Sequence, residues 1–210
     1  MRAPPERSPE RDAAIRAMLP NVAFDGWTRR ALAAGLEAVG QPVDDAELLF
    51  PDGAVGMVEA FCDLADREMI AGAAGLDLGE AHLPKRVRAV VALRLAQNRG
   101  NKEAVRRAVS VLALPGHARQ AAACTARTVD SIWYAAGDRS ADFTWYTKRA
   151  ILTAIYTATV LFWLRDTGAD DAATLAFLDR GLAAHGRVHR LVGRAQTALR
   201  RMSPLHPRDA

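Results

Sequence analysis

The run AILTAIYTATVLFWL, Ala150 to Leu164, limits what this chain can fold into more than any other stretch. It carries no charge, and it is fenced by Lys148–Arg149 before it and Arg165–Asp166 after it. A membrane-spanning helix needs about 20 apolar residues, so this run is too short to cross. As a helix it is hydrophobic all round, which demands protein or ligand on every side. The rest of the chain must supply those neighbours, and it carries few strand signals. Alanine, leucine and arginine dominate, and β-branched runs of period two are missing. The expectation is an all-α bundle with a helix over 142–166 at its centre.

The 210 residues suffice for a sizeable core. Apolar periodicity predicts helices over 10–19, 27–39, 44–50, 52–71, 84–99, 101–112, 118–136, 142–166, 172–184 and 187–202. Breaks fall at LPNVAFDG, VGQPVDD, FPDG, LPGH and AAGDRSAD. Residues 1–9 read as a Pro-rich lead and 203–210 as a tail. The start MRAPPERSPERDAAIR has no apolar core for a secretory signal, and Glu6, Glu10 and Asp12 do not suit a transit peptide. Two cysteines, Cys62 and Cys124, stand far apart with no CxxC, so no disulfide framework or thiolate metal site is expected.

The N-terminal third has a particular rhythm. A helix and loop lead to TRRALAAGLEAVG, then a turn, a short helix ending in LLFP, and DGAVGMVEAF. This layout resembles the helix-turn-helix of TetR-type proteins, which implies a larger helical ligand-binding domain after it. The expected division is 10–70 for the helix-turn-helix region and 71–186 for the ligand domain. The recognition-helix position reads VDDAELLF, with Asp44, Asp45 and Glu47, and no Lys or Arg lies between Arg30 and Arg67. Phosphate contacts need cations there, so the motif reads as degenerate and no nucleic-acid partner is expected. The net charge of +4 is too small to argue otherwise.

The segment TVDSIWYAAGDRSADFTWYTKRAILTAIYTATVLFWLRDTG, followed by TLAFLDRGL, is more specific. Its Asp130, Trp133, Ala136 to Asp138, Ser140, Asp142, Phe143, Trp145 to Thr147, Arg149, Asp166, Phe177, Leu178 and Arg180 resemble the pattern of the ubiquinone-biosynthesis accessory proteins of the Coq nine family. RVRAVVALRL and AVSVLALPGH are similar to that family too. The resemblance covers most of 20–185. It implies a TetR-like bundle that does not bind DNA, a hydrophobic pocket for an isoprenoid lipid, and homodimerisation. It further implies a partner, the diiron demethoxyubiquinone hydroxylase, met through a surface patch that maps onto Asp142, Trp145 and Tyr146. After FLDR this chain is shorter and richer in arginine than the eukaryotic pattern.

Helix geometry bears on that patch independently. Asp142 suits an N-cap. Phe143 and Trp145 then stand about 200° apart around the axis and cannot share one core. Tyr146 lies about 100° from Trp145, so at least one of the rings must face another element, a partner or water. With Arg149 beside them they have the composition of an interface hot spot, and Asp142, Trp145, Tyr146 and Arg149 are taken as the candidate partner-binding set. Within the apolar run, Ile151, Ile155, Tyr156, Thr159, Phe162 and Trp163, together with Trp133, are candidates to line a lipid pocket, or plain core. No polar constellation points to a hydrophilic ligand.

The stretch RVHRLVGRAQTALRRM, Arg187 to Met202, is amphipathic, with an apolar face that includes Leu191 and Leu199. Arg187, Arg190, Arg194 and Arg201 occupy much of the other face. It fits a helix lying on an anionic membrane surface, and fits equally a terminal helix docked on the bundle.

Other chemistry finds little support. His185 and His189 have i, i+4 spacing but no third ligand or HExxH glutamate, and Glu59, Asp63 and Asp66 share a helix face without an ExxH pair, so no metal is expected. No phosphate-binding loop, dinucleotide fingerprint or nucleophile elbow occurs. The reading is a non-enzymatic, cofactor-free lipid-binding accessory protein of ubiquinone biosynthesis. It is expected peripheral at the cytoplasmic face of a bacterial inner membrane, or on the matrix side if mitochondrial. The alternative is a TetR-type regulator with an apolar effector.

Overall fold

The structure, a computed structural model, describes residues 5–79, 81–138 and 144–184. Its helices run α1 (Pro9–Asp25), α2 (Arg29–Ala38), α3 (Ala46–Leu49), α4 (Gly53–Ala73), α5 (Leu83–Gln97), α6 (Lys102–Leu112), α7 (Ala118–Ala135) and α8 (Thr144–Arg165). Residues 172–184, α9, are also helical. No strand occurs among the described residues. The all-α expectation holds, and most helix limits lie within two residues of those read from the sequence.

α1 is an exception, because it does not stop at residue 19. It continues through Pro20 to Asp25. A proline inside a helix leaves the carbonyl four residues earlier without its donor. Here that carbonyl belongs to Arg16, and Arg16 and Pro20 are both exposed, so water can replace the lost partner. Ser8 starts the helix by accepting from the Arg11 backbone N–H at 3.2 Å. Gly26 ends it with φ 73°, a left-handed value that favours glycine.

α2 follows from its own cap, Thr28, whose hydroxyl accepts from the Ala31 N–H. It lies directly against α1. A Cβ built on Gly35 would stand 2.9 Å from both the Cβ and the backbone N of Met18, so only glycine permits this approach. The recognition-helix position is a single 3₁₀ turn, Val43–Asp45, followed by the four residues of α3. Arg29 of α2 is paired with Glu47 of α3.

α4 is the spine. Its first half places Met57, Val58, Phe61 and Leu64 among Ile15, Met18, Leu32 and Trp27, with α6 closing the group. Trp27 is fixed there by donating Nε1–H to the Ala104 carbonyl at 3.1 Å. Its second half carries Met69 and Ala73 into another cluster, with Val91 of α5, Ile132 of α7, Leu152 and Trp163 of α8, and Leu178 of α9. Each fully buried side chain of this size contributes about 1.5–3 kcal/mol by leaving water.

α8 departs from the expectation of complete burial. Leu152, Thr159, Trp163 and Leu164 are buried, but Ala150, Ala154, Thr157, Ala158 and Leu161 form an exposed strip. Those residues recur at helical spacing, and all but Leu161 are small, so the side left open costs little apolar exposure. Among the described residues no helix is long and apolar enough to cross a membrane.

Candidate functional site

Where α4, α5, α6, α7 and α8 converge they leave a cavity of about 420 Å³, within the usual range for small-molecule sites. Its wall is mostly apolar, with Phe61, Leu95, Val109, Leu112, Val160 and Trp163. Ala113, Thr157 and Leu161 line it and are also exposed, which puts the mouth between the end of α6 and the open strip of α8. Trp163 is held rigidly at the wall. Its Nε1–H donates to Asp171 at 3.1 Å, and the Lys102 ammonium lies 5.0 Å from the ring centroid.

Part of the wall is polar. Arg94 of α5 lines the cavity and is only 7% exposed. Its Nη2 faces Asp66 Oδ1 of α4 at 2.9 Å as an ion pair, and it reaches the Cys62 carbonyl at 3.5 Å. Asp66 Oδ2 accepts the Thr128 hydroxyl of α7 at 3.0 Å. Burial pushes the Asp66 carboxyl up to about 6, against the pull of Arg94 and the Thr128 hydrogen bond. Burial also raises the Tyr156 hydroxyl, which Arg94 partly counters. Arg94 itself is driven downward by burial but held up more strongly by Asp66 and its other neighbours. The two cysteines, distant in sequence, both line this cavity. The neighbouring thiols shift each other in opposite directions: Cys62 is pushed up by Cys124 and by burial, and Cys124, with Arg127 3.3 Å from its sulfur, is drawn down.

The three carboxylates on one face of α4 do not act together. Glu59 lies 3.8 Å from Arg127, and Asp63 takes Arg7 at 2.7 Å and Arg67 at 3.0 Å. Asp66 takes Arg94, so each faces a different arginine.

Of the pocket candidates, Tyr156 and Trp163 line the cavity. Ile151, Ile155, Thr159, Phe162 and Trp133 are not part of its lining. Thr159 is buried and returns its hydroxyl to the Ile155 carbonyl at 2.7 Å. Phe162 stacks on Phe177 with centroids 4.7 Å apart. Ile155 and Trp133 belong to the second core cluster, with Lys148 5.9 Å from the Trp133 centroid, and Ile151 is half-buried. α8 turns Ile155 and Phe162 toward Gly181 and Phe177 of α9, whereas the cavity meets the face carrying Tyr156, Val160 and Trp163. The sequence reading weighed Asp66 and the two cysteines only as metal ligands, and did not single out Arg94 or Thr128. The one available signal was a lone arginine inside the apolar stretch VVALRL.

The first turn of α8 forms a separate surface. The Trp145 and Tyr146 rings meet edge to face at 4.7 Å, and the Arg149 guanidinium lies 3.6 Å from the Trp145 centroid. Arg149 donates to Asp130 of α7, which anchors the group to the bundle. Tyr146 is 74% exposed, while Trp145 and Arg149 are half-buried. Tyr134, one turn beyond Asp130 on α7, is also exposed. The structure therefore brings together Trp145, Tyr146 and Arg149. Asp142 and the basic-helix residues Arg187, Arg190, Leu191, Arg194, Leu199 and Arg201 lie outside the described residues, as do His185 and His189.

A helical pair at the N-terminus, a spine helix and a cavity among the helices after it define a TetR-like bundle. The crystal structure of a TetR transcriptional regulator from Nitrosomonas europaea superposes with a TM-score of 0.67 at 22% identity, over 84% of this chain and 98% of that one. Residues 118–189 match the COQ9 family model. The human ubiquinone biosynthesis protein COQ9, mitochondrial, is 32% identical over 171 residues, 79% of this chain and 55% of the human protein. Its Schizosaccharomyces pombe counterpart is 33% identical over 156 residues, 73% of this chain and 60% of that protein. The chain belongs to the COQ9 family. It spans little more than half the length of these curated relatives.

Proposed function

We propose that this chain serves ubiquinone biosynthesis as a non-catalytic lipid-binding accessory protein. It takes an isoprenoid intermediate into the cavity among α4 to α8 and presents it to the diiron demethoxyubiquinone hydroxylase. Trp145, Tyr146 and Arg149 form the docking surface, and Asp142, by its place in the sequence, is assigned to the same set. The observation that carries the reading is the mainly apolar cavity, open beside α8, in a chain whose relatives are named ubiquinone biosynthesis proteins. The exposed Tyr146 and the ring-stacked Arg149 supply rigid aromatic and guanidinium contacts of the kind that dominate interface energies. The basic amphipathic stretch 187–202 supports contact with an anionic membrane. Homodimerisation and placement at an inner membrane belong to the same proposal.

A pull-down of the hydroxylase with wild type and with Trp145→Ala tests the docking surface. The expected result is loss of capture with unchanged folding and unchanged lipid content. Normal capture by the variant would remove Trp145 from the interface.

A further inference from the structure

The two cysteines of the chain meet where α4 packs on α7. That contact keeps one register over several turns. Asp66 accepts from Thr128 at 3.0 Å, and one turn earlier on each helix Cys62 stands beside Cys124. One turn later Met69 shares a core cluster with Ile132. The helices therefore run parallel here, and equal steps along both hold the sulfurs together. Both cysteines line the cavity, Cys62 half-buried and Cys124 buried, so a small solute inside it reaches either one. Their surroundings differ. Cys124 is drawn down by Cys62 and then by Arg127, against burial, Glu59 and Asp66. Arg127 Nη2 lies 3.3 Å from its sulfur, where a cation favours the thiolate. At Cys62 the Cys124 thiol, burial and the Asp66 carboxylate all oppose ionisation, with Arg94 against them.

We propose that this pair is a thiol-oxidation site on the cavity wall, where a hydroperoxide oxidises Cys124 and Cys62 closes a disulfide that ties α4 to α7. The Cys124 thiolate attacks the terminal oxygen of the peroxide. The sulfur–oxygen bond forms as the oxygen–oxygen bond breaks, and the departing alkoxide or hydroxide takes up the proton that the thiol released. The Cys62 sulfur then attacks the sulfenic sulfur of Cys124, and the hydroxyl leaves as water with the Cys62 proton. Two thiols give up two electrons and two protons. The peroxide becomes one alcohol and one water, or two waters when it is hydrogen peroxide. A small dithiol reopens the bond by exchange. The site stands whether or not a lipid occupies the cavity, so it does not rest on the lipid-binding reading.

The test uses the full chain, reduced and freed of reductant, with hydrogen peroxide at pH 7.5. Both thiols should disappear together. Peptide mass mapping should recover the Cys62 peptide joined to the Cys124 peptide, from the monomer band of a non-reducing denaturing gel. Dithiothreitol should restore both thiols. The oxidised chain should melt about 5 °C or more above the reduced one, because the bond closes the long loop from 62 to 124 in the unfolded state. Cys62→Ala should stop at the Cys124 sulfenic acid, trapped as its dimedone adduct. Cys124→Ala should leave Cys62 a thiol with no adduct over the same time. Circular dichroism establishes that each variant is folded, and the wild-type disulfide needs neither variant.

Survival of both thiols, oxidation of each to a separate sulfinic acid, or a bond between two chains would overturn the site. A dimedone adduct on Cys62 in place of Cys124 would overturn the order of attack. A melting temperature unchanged or lowered by the bond would overturn the tie between α4 and α7.

Discussion

Asp66 gives the cavity a measurable signature in stability. The perturbation is Asp66→Asn, which keeps an oxygen acceptor for Thr128 and removes the charge. The wild-type carboxyl is raised from 3.8 to about 6 in the folded chain. Between those values the folded state holds a proton that the unfolded state has released. The folded state thus binds more protons, and stability falls as pH rises, by about 1.4 kcal/mol per unit. Above pH 6 both states are ionised and the slope from this group vanishes. From pH 4.5 to 7 the wild type should therefore lose about 2 kcal/mol relative to Asp66→Asn, counting about 1.5 units of that window. Asp66 is 4% exposed, so solvent screening takes little from this figure. Asp63 acts in a different window. Burial pushes it up, but Arg7 and Arg67 outweigh that and lower it, so its stabilisation is lost only as pH falls below the ordinary carboxylate range. Arg94 stays protonated throughout, and the cost of leaving it unpaired in the variant is a constant offset. Urea unfolding followed by circular dichroism at half-unit pH steps measures the difference. A wild-type minus variant difference flat to within about 0.5 kcal/mol would refute the argument from burial, since the expected change is about four times larger.

Three further outcomes follow from particular contacts. Gly35→Ala should destabilise by about 1–2 kcal/mol, because crowding against the Met18 backbone outweighs the gain in helix propensity. Gly72→Ala should instead be neutral or stabilising by up to about 1 kcal/mol, because its new Cβ meets only the movable ends of Gln97 and Leu93, and chemical unfolding distinguishes the two signs. Trp145→Ala should cost about 1 kcal/mol or less in stability, its stacked contact with the Arg149 guanidinium being at the surface. The same change should weaken hydroxylase binding about 30-fold or more in a calorimetric titration, as loss of a central aromatic anchor does.

The helices were legible because their apolar spacing, caps and glycines are local. Ser8, Thr28 and Gly26 stand where the chain turns, and each acts on residues within a few positions. Pro20 misled because its cost depends on whether the Arg16 carbonyl faces water, which is a matter of tertiary packing. α8 was legible as a helix but not as a set of faces. A segment apolar all round carries no periodic sign of which side meets the cavity, which meets α9 and which stays open. The pairing of Trp145 with Tyr146 and Arg149 was readable because all lie within two turns. Asp130, which anchors Arg149, comes from another helix and was known only as part of the resemblance. The Arg94–Asp66–Thr128 group joins three helices, and its members are up to 62 residues apart, so no local pattern could assemble it.

The central claim is that the cavity holds an isoprenoid lipid. Mass spectrometry of lipid co-purifying with the full chain tests it most directly, with Ala108→Trp as the comparison. Ala108 is buried at the cavity wall, and an indole there fills the space a tail would occupy. An isoprenoid quinone species should co-purify with the wild type and be lost from the folded variant. Recovery of no lipid from the wild type, or equal recovery from both, would contradict it.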